Sequence, residues 1–257
     1  MEKKVTEQKF KFPTETVDLP SKGIIYPKDN PLSSGKVEMK YMTAKEEDIL
    51  TNQNFINNGT VLDKLLQSLV VSDIKINDLI IGDKNALLIV SRVLGYGKDY
   101  EFRSFNKTTN EIEDFTVDLT TLKDKNLDPK DLKEEGVNEF SFDLPTSKTS
   151  ITFKILTHGD EKAIEKEIVG LQKINKNNIP EISTRLSYTI TSVDGNREKK
   201  DIREFVSTYL LAKDSRALRE HIKKVAPDVD LVYRGEDDEE GVIIPIGLNF
   251  FWPDATV

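Results

Sequence analysis

The chain holds two imidazoles, His158 and His221, set 63 positions apart. Imidazole shuttles protons or binds metal only beside partners at fixed spacing. Neither histidine belongs to an H-E-x-x-H helix or a comparable ligand pattern. His158 reads as a turn residue ahead of a helix, and His221 as a surface or half-buried residue beside Glu220. Cysteine is absent, which removes disulfides, thiolate metal sites and thiol nucleophiles and fits a reducing compartment. No G-x-S-x-G elbow, Walker lysine loop or G-x-G-x-x-G occurs, and Gly95-Tyr96-Gly97 reads as a helix C-cap instead.

Acidic residues are the other source of chemistry. In "DKNLDPKDLKEE", Asp124, Asn126, Asp128 and Glu135 fall at positions 1, 3, 5 and 12 of a calcium loop. Pro129 stands where that loop needs Gly, and Asp131 where it needs an apolar residue, so a solvated linker is the better reading. The run Glu236 to Glu240 reads as a hairpin tip kept soluble by charge. With 45 Asp and Glu, composition leaves room for a carboxylate-dependent hydrolase of cell wall. That chemistry needs two acids on one concave wall, one with a raised pKa. Taken together, the residues point away from an enzyme, and neither metal nor cofactor is expected.

The elements that would position these residues follow from periodicity. "GKVEMKY" alternates like a half-buried strand, and Thr43 three residues before Glu46 is a capping-box pattern. Val61, Leu62, Leu65, Leu66 and Leu69 share one helical face with Thr60 as N-cap. Asp83 reads as the cap of a second helix lined by Ala86, Ile89, Val90, Val93 and Leu94. "DYEFRSF" and "EIEDFTVDL" flank "NKTTN" as a hairpin, and "NEFSFDL" with "TSITFKIL" forms a second. Helical stripes follow at Ile164, Ile168, Leu171 and Ile174, then at Ile182, Leu186, Ile190 and Val193. Two more are Ile202, Phe205, Val206, Tyr209 and Leu210, and Leu218, Ile222 and Val225. "DLVYR" and "GVIIPIGLNFF" close the chain as a hairpin around the acidic run.

Strands arriving as local pairs predict an α+β fold rather than a doubly wound sheet. The expected organisation is an extended, proline-rich arm over residues 1–34, an α+β region over 35–157 with two hairpins, and a helical region over 158–257 with the closing hairpin. At 37% hydrophobic and 32% charged residues the 257-residue chain has enough apolar content for a core. Its net charge of -8 argues against a nucleic-acid coat. No secretory signal is expected at the start, and no apolar run is long enough to span a membrane.

Two apolar segments near the chain ends ask to be covered. Ile24, Ile25 and Tyr26 form a plug within the arm, and Phe250, Phe251 and Trp252 stand near the end. In "GVIIPIGLNFF" the alternation of Val242, Ile244, Ile246, Leu248 and Phe250 predicts an inner strand, with Phe251 and Trp252 beyond it free to dock. Both segments are candidate partner-binding surfaces, because aromatic anchors dominate interface energetics. Arg216 and Arg219 join them, on a basic stripe with Lys213, Lys223 and Lys224.

Several segments in order, "LPSKGIIYP", "SGKVEMKYMTAKEEDIL", "NGTVLDKLLQSLV", "IGDKNALLIVSRVLGYGKDYEF" and "LAKDSRALREHIKKVAPDVDL" followed by "VIIPIGLNFFWPD", resemble the T4-type bacteriophage baseplate hub family. The resemblance runs from about residue 18 to the end. It implies a non-enzymatic hub subunit or hub assembly protein of a contractile tail, found in the virion baseplate and in host cytoplasm during assembly. Its implied partners are other baseplate hub and tail proteins, including the tape-measure protein, with no nucleic acid. A transient chaperone that leaves before the virion is finished is the alternative it implies. Family members often carry a cysteine pair in the hairpin after the "YG…Y" segment. Here that hairpin is cysteine-free, so Phe102, Phe105, Ile112 and Phe115 are expected to hold it by packing.

Overall fold

The computed structural model describes residues 13–106, 110–174, 180–234 and 241–251, save the side chain of Ile174. The fold is α+β, with every strand pairing in the described residues antiparallel. Strand β1 (Thr14–Asp18) pairs with β2 (Lys36–Lys40), and short helices α1 (Ala44–Leu50), α2 (Gln53–Asn57) and α3 (Val61–Leu69) follow. The long helix α4 (Ile81–Tyr96) leads into the hairpin β3 (Asp99–Asn106) and β4 (Glu111–Asp118). Next come β5 (Asp124–Lys125), the hairpin β6 (Phe140–Asp143) and β7 (Ser150–Phe153), and helices α5 (His158–Ile174) and α6 (Glu181–Thr189). Strand β8 (Ile190–Val193) extends that hairpin to three strands. Helices α7 (Lys199–Glu204) and α8 (Ala212–Val225) precede β9 (Asp228–Val229), which pairs with β5. Finally β10 (Val232–Tyr233) pairs with β11 (Val242–Ile243).

The start of α4 organises the first third of the chain. Asp83 is not the helix cap its position suggested. It lies in the first turn, fully buried, and Ile80 holds the cap position. Its carboxylate accepts from the Ser21 N–H at 2.9 Å, the Ser21 hydroxyl at 2.7 Å and the Tyr26 hydroxyl at 2.6 Å. The Tyr26 oxygen in turn accepts from the Ile80 N–H at 3.1 Å, so one phenol caps the helix and binds its acid. Burial pushes the Asp83 carboxyl above its ordinary range, against the pull of these donors. Ser21 and Tyr26 thereby draw the "SKGIIY" segment inward. Ile25 and Tyr26 are buried and Ile24 half-buried, so Ile25 and Tyr26 are core residues rather than exposed contacts. Gly23 allows the close turn: at φ +78° a Cβ there would lie 2.5 Å from the Ser33 carbonyl oxygen.

The other half of α4 holds the last described residues. Arg92 is buried and donates from Nε to the Phe250 carbonyl at 3.0 Å, and from its terminal nitrogens to Gly97 and Asp99 carbonyls at 3.1 and 3.3 Å. Phe250 meets Tyr100 edge-on at 4.8 Å and Phe251 at 5.4 Å. Both phenylalanines are completely buried, as the inner face expected for Phe250 requires; this removes both as partner-binding surface and corrects the expectation that Phe251 is free to dock. Trp252 lies outside the described residues, as does the acidic run. The expected inner strand is also shorter than its alternation suggests. Pairing stops at Ile243, two residues before Pro245, and Leu248–Phe251 coils into a 3-10 turn. Proline supplies no N–H to a ladder, so the tail packs by side chains instead.

Two other departures have local causes. The stripe Ile182, Leu186, Ile190, Val193 is split, because α6 ends at Thr189 and the β-branched "ITSV" pairs with β7 as β8. In the first hairpin, Phe102 and Phe115 stack at 5.4 Å as expected. Phe105 and Ile112, opposite one another across the strands, lie on the outer face and are exposed, so they do not hold the turn by burial.

The Asp83 network yields a stability prediction. Tyr26→Phe removes a donor from Asp83 and the acceptor of the Ile80 N–H, at roughly 1–3 kcal/mol for each buried group left unpaired. Urea unfolding is expected to show that loss, and a comparable one for Asp83→Asn. The double variant is expected to lose less than the sum.

Candidate functional site

His158 comes nearest to a catalytic arrangement. It is the first residue of α5 and is buried, with Nε2 2.7 Å from Asp63 of α3. Lys84 of α4 reaches the same carboxylate at 2.8 Å and the His158 Nδ1 at 3.1 Å, and Lys162 reaches Asp63 at 3.1 Å. Burial alone would raise the Asp63 carboxyl, but hydrogen bonds from His158, Lys84 and Lys162 outweigh it and hold the group below the usual carboxylate range. A proton acceptor tuned for neutral pH needs the opposite shift. None of the clefts described below is lined by Asp63, Lys84 or His158. The cluster therefore acts as a tie among α3, α4 and α5.

Two more buried carboxylates behave alike. Burial works against ionised Glu46, yet Lys40 at 2.8 Å, Ser68 at 2.5 Å and the Thr43 N–H at 2.9 Å bring it down to about 2. The last of these is the reach-back bond that the Thr43/Glu46 spacing predicted. Glu139 is held near about 2, chiefly by Arg197 at 2.8 Å and then by Thr191 at 3.0 Å and Lys133 at 3.2 Å. His221 stacks on Phe142 at 4.5 Å, and burial lowers its pKa, so it packs as a neutral aromatic ring.

An accessible concavity lies elsewhere, between α6 and α8. One cleft of about 390 Å³ is floored by Ile81, Ile155, Leu186, Ile222 and Pro227 and rimmed by Lys154, Glu161, Glu181, Arg185, Arg219 and Asp228. A second, of about 520 Å³, is lined by Val206, Leu210, Ala212 and Ser215. Glu181, Ile182 and Leu186 line both, so the two clefts form one groove with Ile182 at the junction. Ile182 is 54% exposed. Phe205–Tyr209, next to the second cleft, is a π-helical turn, a feature frequent at functional sites. It rotates Tyr209 off the expected apolar stripe, leaving it 61% exposed, with Leu211 exposed two residues on.

Both groove walls are carried by the three-stranded sheet. Helix α6 runs directly into β8. The start of α8 is pinned to the β6–β7 turn by buried Asp214, which accepts from the Thr146 and Ser147 N–H groups at 2.7 and 2.9 Å. Burial disfavours ionised Asp214, and the two backbone donors overcome it and lower its pKa.

Of the described residues put forward from sequence, the groove gathers Arg219 alone. Arg216 is exposed and engaged with Glu220 at 2.8 Å. Ile25 and Tyr26 border a separate cleft of about 350 Å³ with Val137 and Asp78. Ile182, Leu186 and Ile222 were read as core-facing, and only their neighbours in space reveal them as groove lining. A signal was present in Ala212, Ser215, Arg219, Ile222 and Ala226, a stripe at 3-4-3-4 spacing made of small and charged residues as well as Ile. On the rim, burial pushes the Asp228 carboxyl up, with Asn85 at 3.0 Å pulling the other way. Compared with protein-family models, curated proteins and solved structures, the chain has no match in any of the three.

Two predictions follow from the carboxylates. Glu46 and Glu139 are depressed in the folded protein from 4.5 to about 2. Their stabilisation is therefore present above pH 4.5 and lost as pH falls towards 2. The urea midpoint is expected to drop across that window, and more gently in Glu46→Gln, which starts lower at neutral pH. Asp63→Ala takes the carboxylate from half-buried Lys84 and buried His158 and is expected to cost roughly 3 kcal/mol in urea unfolding.

Proposed function

We propose that this chain is a non-enzymatic structural or assembly protein of a contractile-tailed phage baseplate hub, working through contacts with neighbouring hub and tail proteins. The observation that carries the reading is the α6–α8 groove, where Ile182 exposes an apolar side chain between two clefts instead of burying it. Exposed, contiguous apolar surface rimmed by polar groups is what protein interfaces are made of. The partner context comes from the resemblance. Its support is that "LPSKGIIYP" and "IGDKNALLIV" meet in space through Ser21, Tyr26 and Asp83, so two of the resembling segments act as one structural unit.

Asp228 favours a second reading, a carboxylate-dependent hydrolase, because this acid shares a concave wall with Glu161 and Glu181. Against it, Arg185 holds Glu161 in an ion pair and the floor is apolar.

Mass spectrometry of tail intermediates and finished particles tests the proposal. The protein is expected with hub proteins in the intermediates. Retention in particles marks a resident subunit, and loss marks a transient chaperone. Absence from both, or clearing of a peptidoglycan suspension that Asp228→Asn abolishes, overturns it.

A further inference from the structure

The groove has an occupant that its own chemistry specifies. Along α8 and its cap, the lining residues run from Ala212 to Ala226, about 21 Å at 1.5 Å per residue. That is the length of roughly four helical turns. The backbones of α6 and α8 are committed to their own helical hydrogen bonds, so neither helical wall offers a strand edge to an extended peptide. An occupant lying between these two walls satisfies its own backbone best as a helix.

Charge narrows the choice. At about 100° per residue, Arg219 falls within the lining stripe of α8, while Arg216 and Lys223 flank it on the side away from buried Leu218. Arg219 donates to the Ser215 carbonyl at 3.3 Å, and neither it nor Lys223 forms a side-chain ion pair among the described residues. On the same helix Asp214 is consumed by the β6–β7 turn, and Glu220 by Arg216. In a chain of net charge -8, this wall is locally positive. Glu181 and Asp228 stand elsewhere on the rim, so the complementarity is confined to the α8 side.

We propose that the α6–α8 groove docks an amphipathic helix of a partner protein, with apolar residues at 3-4 spacing over Ile182 and Leu186 and acidic residues on the flank facing Arg219. This rests on the reading of the protein as one that works by protein–protein contact, and gives that contact a place and a chemistry. Such a helix covers Ile182 and gives Arg219 the carboxylate it lacks.

The test uses the full chain and a display library of 18-residue helical peptides, with apolar residues fixed at 3-4 spacing and random flanks. Enriched peptides are expected to carry Asp or Glu along one flank. They are expected to lose at least tenfold in affinity for Ile182→Asp and for Arg219→Glu, and Arg219→Glu is expected to select Lys and Arg flanks instead. Ile182 is exposed, so its variant is expected to melt with the parent by circular dichroism. No enrichment, basic flanks on the parent protein, or binding indifferent to Ile182→Asp overturns the proposal. A concentration-dependent dimer broken by Ile182→Asp assigns the groove to a second copy and overturns it too. Failure here leaves the hub reading standing if the protein is still found in tail intermediates, whereas absence from those intermediates removes the hub reading whatever the peptides do.

Discussion

Helix α4 carries two buried polar side chains that act in opposite directions along the chain, and the rest of the structure depends on them. Asp83 near its start accepts three hydrogen bonds from the N-terminal segment, and Arg92 near its end donates three to backbone carbonyls that include Phe250. They are nine residues apart, about 13 Å along the helix, too far to pair with each other. Among the described residues neither is neutralised by an opposite charge at contact. Each is stabilised by oriented neutral dipoles, which offset the cost of leaving water only if every bond is made. Such a device is specific: a segment either presents its hydroxyls and carbonyls at the right places or it does not bind.

Fastening both terminal segments to one helix has a consequence for the surface. Ile25 and Tyr26 are consumed internally at one end of α4, and Phe250 and Phe251 at the other. Exposed apolar side chains remain in the first half, at Val71, Phe105 and Ile112, and in the second half, at Ile182, Tyr209 and Leu211. There the helices are hung on the three-stranded sheet by continuity at Thr189–Ile190 and by Asp214, rather than buried on all sides. A π turn rather than a continued α-helix precedes α8, so Tyr209 faces water where an unbroken stripe would have packed it.

The buried carboxylates share a logic. Asp63, Glu46, Glu139 and Asp214 each tie separate elements together, and each has more donors than its burial can outweigh, so all are depressed. These are the shifts of structural anions. Asp83 and Asp228 go the other way, and only Asp228 of that pair lines the groove.

Periodicity alone was enough for elements whose pattern is long and whose environment is one-sided. The Leu65, Leu66, Leu69 face of α3, the alternation of β2 and the Phe102–Phe115 pairing all follow from residue type and spacing. The α+β class and the scarcity of reactive side chains were likewise legible in the linear order. Elements whose state depends on a distant neighbour were not. Ile190 to Val193 is compatible with either helix or strand until β7 supplies an edge. Asp83 reads as a cap until Ser21, 62 positions away, claims its carboxylate. The groove was the least legible feature, for the same reason: Ile182 and Ile222 look like core residues one helix at a time. Residue type determines that an apolar side chain will leave water. Whether it leaves into its own fold, as Phe251 does, or stays at the surface, as Ile182 does, is decided by long-range packing alone, because the space a core can fill belongs to the assembled elements and to no single segment.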